Sequence, residues 1–312
     1  MDIKATKESM PALDFSGRSM LPEHQAYNHY YGLGLETQIP GISHQFGYID
    51  SGHYRLACHS YQPAKPKGTF FLLHGYYDHT GLFRHIIRYF LEQNYCVFVY
   101  DLPGHGLSSG PSATIPDFSI YSLLLENILN YCESNLPKPW NVYGQSTGCA
   151  IITDYLVNHS RQLNPPKFKQ VVLSAPLVRP YLWNLGRVQL YLTRPFLKQI
   201  PRKFTDNCRD QSFLAFARED PLAPRILPVE WVNAMDRWIR RIEKIQGLTV
   251  PVSPLILQGT HDKTIDATHN IAVLKRLYKG ATVLYLEQAR HHLPNELEAT
   301  RTEYMEWLSS FL

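Results

Sequence analysis

A serine flanked by glycines lies where this chain passes from a strand-like segment to a helix-like one. Residues 144–148 read Gly-Gln-Ser-Thr-Gly, after an apolar run and before a helix-period run. Glycines two positions on either side of Ser146 let backbones approach where a Cβ would clash, as a strained nucleophile elbow requires. The start of the following helix would bring backbone N–H groups near the serine oxygen, where negative charge develops in acyl transfer. Ser146 is therefore a candidate nucleophile.

A serine hydroxyl needs a base near pH 7, and the base needs an acid that orients it. Asp262 and His291 each follow a later apolar run, and the chain order is serine, aspartate, histidine. The alternative role for Asp262 is to cap the next helix, a role that Asp266 fits at least as well. His292 is the alternative to His291 as the base. We expect Ser146, Asp262 and His291 to form a catalytic triad.

Three further polar residues follow the apolar segment 70–73. The spacing of His74, Asp78 and His79 is similar to that of an H-x-H-x-D-H metal-binding motif. Tyr76 stands where this motif needs its middle histidine. We therefore predict no metal site, and hydrolysis by a serine triad requires no cofactor.

Strand-like and helix-like segments alternate along most of the chain and predict its scaffold. The strand-like runs are 54–61, 69–73, 95–100, 140–143, 170–173, 255–257 and 282–286. The helix-period segments are 82–93, 121–134, 146–158, 267–278 and 294–312. The later strand-like runs are continuously apolar, as is typical of parallel strands that are covered on both faces. The alternation predicts an α/β fold with a doubly wound, mostly parallel sheet.

One long interval interrupts this alternation. Residues 176–247 have no strand pattern and contain amphipathic helical patches. An insertion of this length between two strands predicts a helical cap over the carboxyl ends of the strands, where α/β proteins bind ligands. We therefore expect an N-terminal extension over residues 1–45, a core over 46–175 and 248–312, and the cap over 176–247.

The overall composition is that of an ordinary globular protein, with 312 residues and a formal net charge of +4. No compact basic block is present, so we expect no nucleic-acid partner. No apolar run has the length of a membrane span, and the first residues lack the hydrophobic core of a signal peptide. The five cysteines have no C-x-x-C spacing and read as reduced thiols. These features favour a cytoplasmic location.

Together these segments resemble the α/β-hydrolase superfamily. More narrowly, they are similar to the branch of the monoacylglycerol lipases, bacterial lysophospholipase L2 and the serine aminopeptidase S33 group. The resemblance rests on residues 73–79, 101–108, 144–148, 258–262 and 289–291. It implies an α/β-hydrolase fold of about eight strands, with the cap inserted after the sixth. It also implies a triad of Ser146, Asp262 and His291, and an oxyanion hole built from Tyr76 and Thr147.

The same resemblance bears on substrate preference at the serine. Relatives in this branch usually carry His before the serine and Met after it, where this chain has Gln145 and Thr147. The oxyanion donor is a backbone group, so the mechanism survives both changes, while the substrate preference is left open. Residues 220–222 and 229–232 of the cap are similar to the lysophospholipase-type members.

The cap mixes apolar and aromatic residues with basic ones. The basic residues are Arg179, Arg187, Arg194, Lys198, Arg202, Lys203 and Arg209. Such a surface suits an acyl chain that carries an anionic or zwitterionic headgroup. We expect a lysophospholipase or monoacyl-lipid esterase with a lipid-like ester as substrate. The candidate substrate-binding residues are Trp183, Tyr191 and Arg187, and contact of the cap with a membrane surface is an open alternative.

Other activities also fit a serine triad on this fold. A proline-iminopeptidase-like aminopeptidase would need cap acids for the α-amine of its substrate, and Glu219 and Asp220 are available for this. The cap is net basic, which argues against that activity. A short-chain carboxylesterase would use the same triad on smaller esters. A ligand-binding protein without activity would usually lack part of the triad, and all three members are present here.

Overall fold

An eight-stranded sheet lies at the centre of the computed structural model, which describes residues 1–16, 20–160, 167–193 and 196–312. Its strands are β1 (Ile42–Ser51), β2 (Tyr54–Pro63), β3 (Thr69–Leu73), β4 (Cys96–Tyr100), β5 (Trp140–Gln145), β6 (Gln170–Ser174), β9 (Leu255–Gly259) and β10 (Thr282–Leu286). Their order in the sheet is β1-β2-β4-β3-β5-β6-β9-β10. Strand β2 pairs antiparallel with β1 and β4, and the other pairs are parallel. The predicted α/β class and mostly parallel sheet are confirmed.

Helices pack against the sheet because their apolar residues recur on one face. The helices that follow core strands are α3 (Arg84–Glu92), α4 (Ser119–Cys132), α5 (Thr147–His159), α9 (Ala267–Leu277) and α10 (Glu298–Phe311). Helix α3 buries Ile86, Ile87 and Phe90, while its charged residues face outward. Full burial of a side chain of this size contributes about 1.5–3 kcal/mol to stability. The central strands are buried on both faces, as their continuous apolar runs predicted.

The N-terminal segment contains α1 (Ile3–Ser9) and α2 (Pro22–Tyr31). Strand β1 begins at Ile42, inside the segment assigned to the extension, and was not predicted as a strand. Its apolar alternation is hidden because His44 and Gln45 are buried polar residues. The His44 ring satisfies its nitrogens by contacts with Glu36 at 2.9 Å and His59 at 2.9 Å. Pairing with β2 therefore forms a strand that the sequence pattern did not indicate.

The inserted segment after β6 contains α6 (Trp183–Thr193), α7 (Gln211–Glu219) and α8 (Val229–Lys244). The expectation of no strand in this interval was wrong, because β7 (Gln199–Pro201) and β8 (Ile226–Pro228) pair antiparallel. Each of these strands has three residues and ends in proline, which is too short for a recognisable alternation of apolar and polar residues. Within the described ranges, none of the helices combines the length and apolar character that crossing a bilayer requires.

Candidate active site

Ser146 lies at the sharp turn between β5 and α5. Its backbone has φ 53° and ψ −110°, a conformation that an L-residue adopts only under strain. Glycine is needed on both sides of this turn. A Cβ at Gly148 would stand 2.1 Å from the Leu73 carbonyl oxygen, and one at Gly144 would stand 2.7 Å from the Cys149 nitrogen. The two glycines thus let the turn fit between β3 and α5, as expected for a nucleophile elbow.

The structure brings Ser146, His291 and Asp262 together. The His291 ring lies with Nε2 2.9 Å from Ser146 Oγ and Nδ1 2.7 Å from Asp262 Oδ2. An ionised carboxylate can only accept, so Nδ1 carries the proton and Nε2 accepts from the serine hydroxyl. All three side chains are almost entirely shielded from solvent. This is the arrangement in which an imidazole can remove the serine proton.

The surroundings of Asp262 keep its carboxyl group ionised. Burial alone would raise its pKa, but the neighbouring His291 ring and several hydrogen bonds hold the pKa below its usual value. The Thr264 N–H donates to Oδ1 at 2.8 Å, and Gln258 Nε2 donates to Oδ2 at 3.1 Å. A carboxylate held in this way fixes the tautomer of His291.

The alternative candidates have other partners. His292 Nε2 lies 3.3 Å from an oxygen of Asp78. Asp266 caps α9 by accepting the His269 N–H at 3.2 Å, and it pairs with Arg179 at 2.8 Å. Neither of the two alternatives contacts Ser146.

Two backbone N–H groups near the serine have no acceptor among the described residues. They belong to Tyr76, which follows β3, and to Thr147, the first residue of α5. The Tyr76 ring stacks on Trp231 of α8, with centroids 3.6 Å apart and planes at 14°. Its hydroxyl donates to the Ala113 carbonyl at 2.7 Å. Both contacts hold the Tyr76 side chain against its neighbours and support the loop that bears its N–H.

The residues that resemble a metal motif make separate contacts. His74 Nδ1 donates to the Gly75 carbonyl at 2.8 Å, and its Nε2 accepts the Leu102 N–H at 2.9 Å. His79 contacts the buried carboxylate of Asp220 at 2.7 Å. Asp78 lies beside His292. The described residues contain no group of three or more side chains arranged to hold a metal ion.

A cavity of about 460 Å³ opens onto Ser146 between the sheet and the inserted segment. Its apolar lining includes Leu177, Trp183, Leu190, Leu197, Leu227 and Met235. Its charged lining residues are Asp78, Arg202, Lys203 and Arg218. A cavity of this size and character suits a small amphipathic ligand.

The three predicted substrate-binding residues are not all at this cavity. Trp183 lines it, but Arg187 and Tyr191 do not. Arg187 and Tyr191 come four and eight residues after Trp183 on α6, so their side chains are turned by about 40° and 80° around the helix axis, away from the cavity side. The Tyr191 hydroxyl lies 3.3 Å from Asp236 of α8. The spacing of residues along α6 could be predicted from the sequence, but which side of the helix faces the cavity could not.

The predicted basic residues also have different surroundings. Arg179 pairs with Asp266, and Arg209 contacts Glu296 at 3.4 Å. Arg202 and Lys203 line the cavity, whereas Arg194 lies outside the described residues. Asp78 and His292 line the cavity as well, and neither was predicted as a substrate contact. The sequence did contain a sign of their position, because Asp78 lies two residues after Tyr76 and His292 directly follows His291.

This chain is similar to one protein family and to several known proteins. The model of the family described as serine aminopeptidase, S33, matches residues 64–298. The monoglyceride lipase of Homo sapiens is 30% identical over 280 residues, covering 83% of this chain and 88% of that protein. Phospholipase YtpA of Bacillus subtilis (strain 168) is 21% identical over 75% of this chain and 91% of that protein.

A solved structure shares the fold. A soluble variant of monoglyceride lipase from Saccharomyces cerevisiae, in complex with a substrate analog, has a TM-score of 0.72 at 16% identity. It covers 85% of this chain and 93% of the other. The match of the family model over most of the chain confirms the resemblance drawn from the motifs. The chain therefore belongs to the serine aminopeptidase S33 family of α/β-hydrolases, and it is an ester hydrolase of the lipase-like branch.

Proposed function

We propose that this protein cleaves carboxylic esters through an acyl-enzyme on Ser146, with His291 as the base and Asp262 as the orienting acid. The observation that carries the proposal is the line of hydrogen bonds, 2.9 Å from Ser146 Oγ to His291 Nε2 and 2.7 Å from Nδ1 to Asp262. Both distances are those of formed hydrogen bonds, so no movement of the three side chains is needed before reaction.

The proposed reaction has two halves. His291 removes the Ser146 proton while the serine oxygen attacks the ester carbonyl, and Asp262 stabilises the imidazolium that results. The imidazolium then gives its proton to the leaving alcohol, which leaves an acyl-enzyme. Water enters, His291 takes a proton from it, and its oxygen attacks the acyl carbonyl. The acid is released and Ser146 recovers its proton.

The N–H groups of Tyr76 and Thr147 would bind the oxyanion in both halves. Each group lacks an acceptor among the described residues, and an N–H that is free and fixed costs little reorganisation when charge develops. Loss of one such donor typically lowers turnover by roughly 10²–10³-fold. Because both donors are backbone groups, Gln145 and Thr147 can replace the usual side chains without loss of this function.

We propose a monoacyl lipid, either a monoacylglycerol or a lysophospholipid, as the substrate. The apolar lining of the cavity can bury an acyl chain, and its charged residues are available to a polar headgroup. Relatives described as monoglyceride lipase and as phospholipase support this class. Residues 176–247 would act as the cap that covers the chain of the bound lipid.

The outer face of this cap is the proposed contact with a lipid surface. Its exposed apolar residues are Leu182, Leu185, Val188, Leu192 and Phe196. Phe196 is 84% exposed and Leu192 is 69% exposed, so these side chains are accessible to a lipid surface. Because these residues belong to the same segment as the cavity wall, a substrate could enter from a membrane without crossing water. The five cysteines are buried and unpaired, which supports the reducing conditions of the cytoplasm as its location.

The alternative activities are not favoured. An aminopeptidase would need a cap carboxylate free to bind an α-amine, but Asp220 is buried against Tyr31 and His79 at 2.7 Å from each. Glu219 is exposed and does not line the cavity. A short-chain carboxylesterase would not need an apolar cavity of this size.

The test is hydrolysis of 1-oleoylglycerol, 1-oleoyl lysophospholipids, p-nitrophenyl butyrate and prolyl-naphthylamide by the purified protein. We expect turnover of the oleoyl lipids and none of the prolyl amide. Turnover should be lost in Ser146→Ala and His291→Ala and kept in the control His261→Ala, which removes an exposed imidazole next to Asp262. Activity confined to the butyrate ester would remove the lipid part of the proposal, and robust turnover by His291→Ala would remove the triad.

A further inference from the structure

Arg202 is held at the wall of the active-site cavity by the short strands that the sequence did not predict. It follows β7, and its N–H donates to the Arg225 carbonyl at 2.9 Å in continuation of the β7–β8 pairing. Its guanidinium lies over the Tyr77 ring at 4.1 Å and over the Phe204 ring at 4.3 Å. A guanidinium stacked on aromatic faces keeps its plane fixed and its N–H groups directed sideways. The group is therefore positioned rather than free to move in solvent.

The positive charge of Arg202 is not paired. Among the described residues, none forms an ion pair with it, and its hydrogen bond is to the neutral Pro224 carbonyl at 3.3 Å. By contrast, Arg218 at the same cavity pairs with Asp206. Burial lowers the pKa of Arg202, while the nearby Asp78 carboxylate raises it. That carboxylate has its own partner, His292 at 3.3 Å. Holding a partly buried, unpaired cation is costly unless an anion joins it.

Arg202 is also close to the reacting end of the cavity. Tyr77, on whose ring it lies, is the residue after Tyr76, whose N–H is a proposed oxyanion donor. A Cβ at Gly75 would stand 2.8 Å from Asp78 Oδ2 and 3.3 Å from Ser146 Cβ, so the loop that bears Tyr77 also borders the serine. In a lysophospholipid, a glycerol unit separates the ester carbonyl from the phosphate. An anion at Arg202 would thus belong to the headgroup of the bound ester.

We propose that Arg202 binds the phosphate of a substrate headgroup and that the preferred substrates are lysophospholipids rather than neutral monoacylglycerols. This inference rests on the proposed function and narrows its substrate class. The planar guanidinium can donate two parallel hydrogen bonds to phosphate oxygens, which an ammonium or amide cannot. Lys203, exposed at the same cavity wall, adds a second positive charge for the headgroup. The apolar lining takes the acyl chain.

The experiment compares two substrates with the same acyl chain, 1-oleoyl lysophosphatidylglycerol and 1-oleoylglycerol, in mixed micelles with a neutral detergent. It uses the wild type, Arg202→Gln and the control Arg225→Gln. Arg225 lies near the same Phe204 ring, with 5.2 Å between its guanidinium and the ring centroid, but does not line the cavity. The control therefore removes the same charge without touching the proposed subsite. Turnover of p-nitrophenyl butyrate shows that each variant is folded.

We expect Arg202→Gln to lower kcat/KM for the lysophospholipid roughly 10–100-fold, as loss of a charge-assisted hydrogen bond would. Its kcat/KM for 1-oleoylglycerol should change less than about 3-fold. In Arg225→Gln, kcat/KM for either substrate should change less than about 3-fold. Equal losses on both substrates, or no loss on the lysophospholipid, would overturn the assignment to Arg202 while leaving the esterase intact. Failure of the wild type to hydrolyse any of the three esters would instead refute the proposed function.

Discussion

The carboxylate of Asp220 joins three parts of the molecule, and its removal should be among the most destabilising single changes. Tyr31 of the N-terminal helix α2 donates its hydroxyl to Oδ1 at 2.7 Å. His79, from the loop after β3, donates Nε2–H to Oδ2 at 2.7 Å, and the Leu222 N–H donates to Oδ1 at 2.8 Å. His79 Nδ1 accepts the Gly81 N–H at 3.1 Å, so Nε2 carries the ring's proton. Asp220 is fully buried.

The expected loss of unfolding free energy can be worked out from the hydrogen-bond donors that Asp220→Ala would leave without an acceptor. Two buried donors and one partly buried donor lose their acceptor at up to about 1–3 kcal/mol each, and removing one partner of a buried charged contact typically costs about 3–5 kcal/mol. Since partial rearrangement or a water would satisfy some donors, we expect the free energy of unfolding to fall by about 3–5 kcal/mol. Asp220→Asn keeps one acceptor oxygen and should cost about 1–3 kcal/mol.

The assay is urea unfolding followed by tryptophan fluorescence, with Asp206→Ala as the control. Asp206 is half exposed in its pair with Arg218, so its removal should cost less than about 1 kcal/mol. A loss below about 1 kcal/mol for Asp220→Ala would contradict this prediction, because it would mean that the three donors find other acceptors at little cost. An Asp220→Asn variant less stable than Asp220→Ala would refute it as well.

Two further predictions concern carboxylates near the serine. Asp262→Asn should lower kcat by about 10⁴-fold with little change in unfolding free energy, because an amide favours the wrong tautomer of His291; a kcat within about 10-fold of wild type would exclude the orienting role. Burial opposes ionisation of Asp78, but His292 lowers the pKa of Asp78 to about 2. The ionised group should therefore contribute about 2 kcal/mol at neutral pH, and this is lost as the pH falls from about 4 through about 2. Urea unfolding of wild type and Asp78→Asn should give stabilities that converge on acidification, and a difference that widens toward low pH would contradict this.

Local sequence predicted the parts of the site that local constraints create. The elbow at Ser146 needs glycine at 144 and 148 because Leu73 and Cys149 lie within 3 Å of any Cβ there. A constraint of this kind determines residue types close to Ser146 in the sequence, so the local sequence is enough to predict the turn. Asp262 and His291 follow continuously apolar strands, and the carboxyl ends of parallel strands meet at one edge of a sheet.

Contacts between distant segments could not be read in the same way. The link between Tyr31 and Asp220 joins residues 189 positions apart, and no local pattern records it. The direction of Arg187 and Tyr191 depends on how α6 packs against α8, which spacing along α6 does not determine. Strand β7, which positions Arg202, is stabilised by β8 rather than by its own three residues.

Covalent labelling can show whether Ser146 is the nucleophile and whether His291 activates it. Incubation with a fluorophosphonate probe, followed by peptide mass spectrometry, identifies the oxygen that becomes phosphonylated. We expect one modified residue, Ser146, with no label in Ser146→Ala and labelling slowed by orders of magnitude in His291→Ala. Label on another residue, or unchanged labelling without the imidazole of His291, would contradict this expectation.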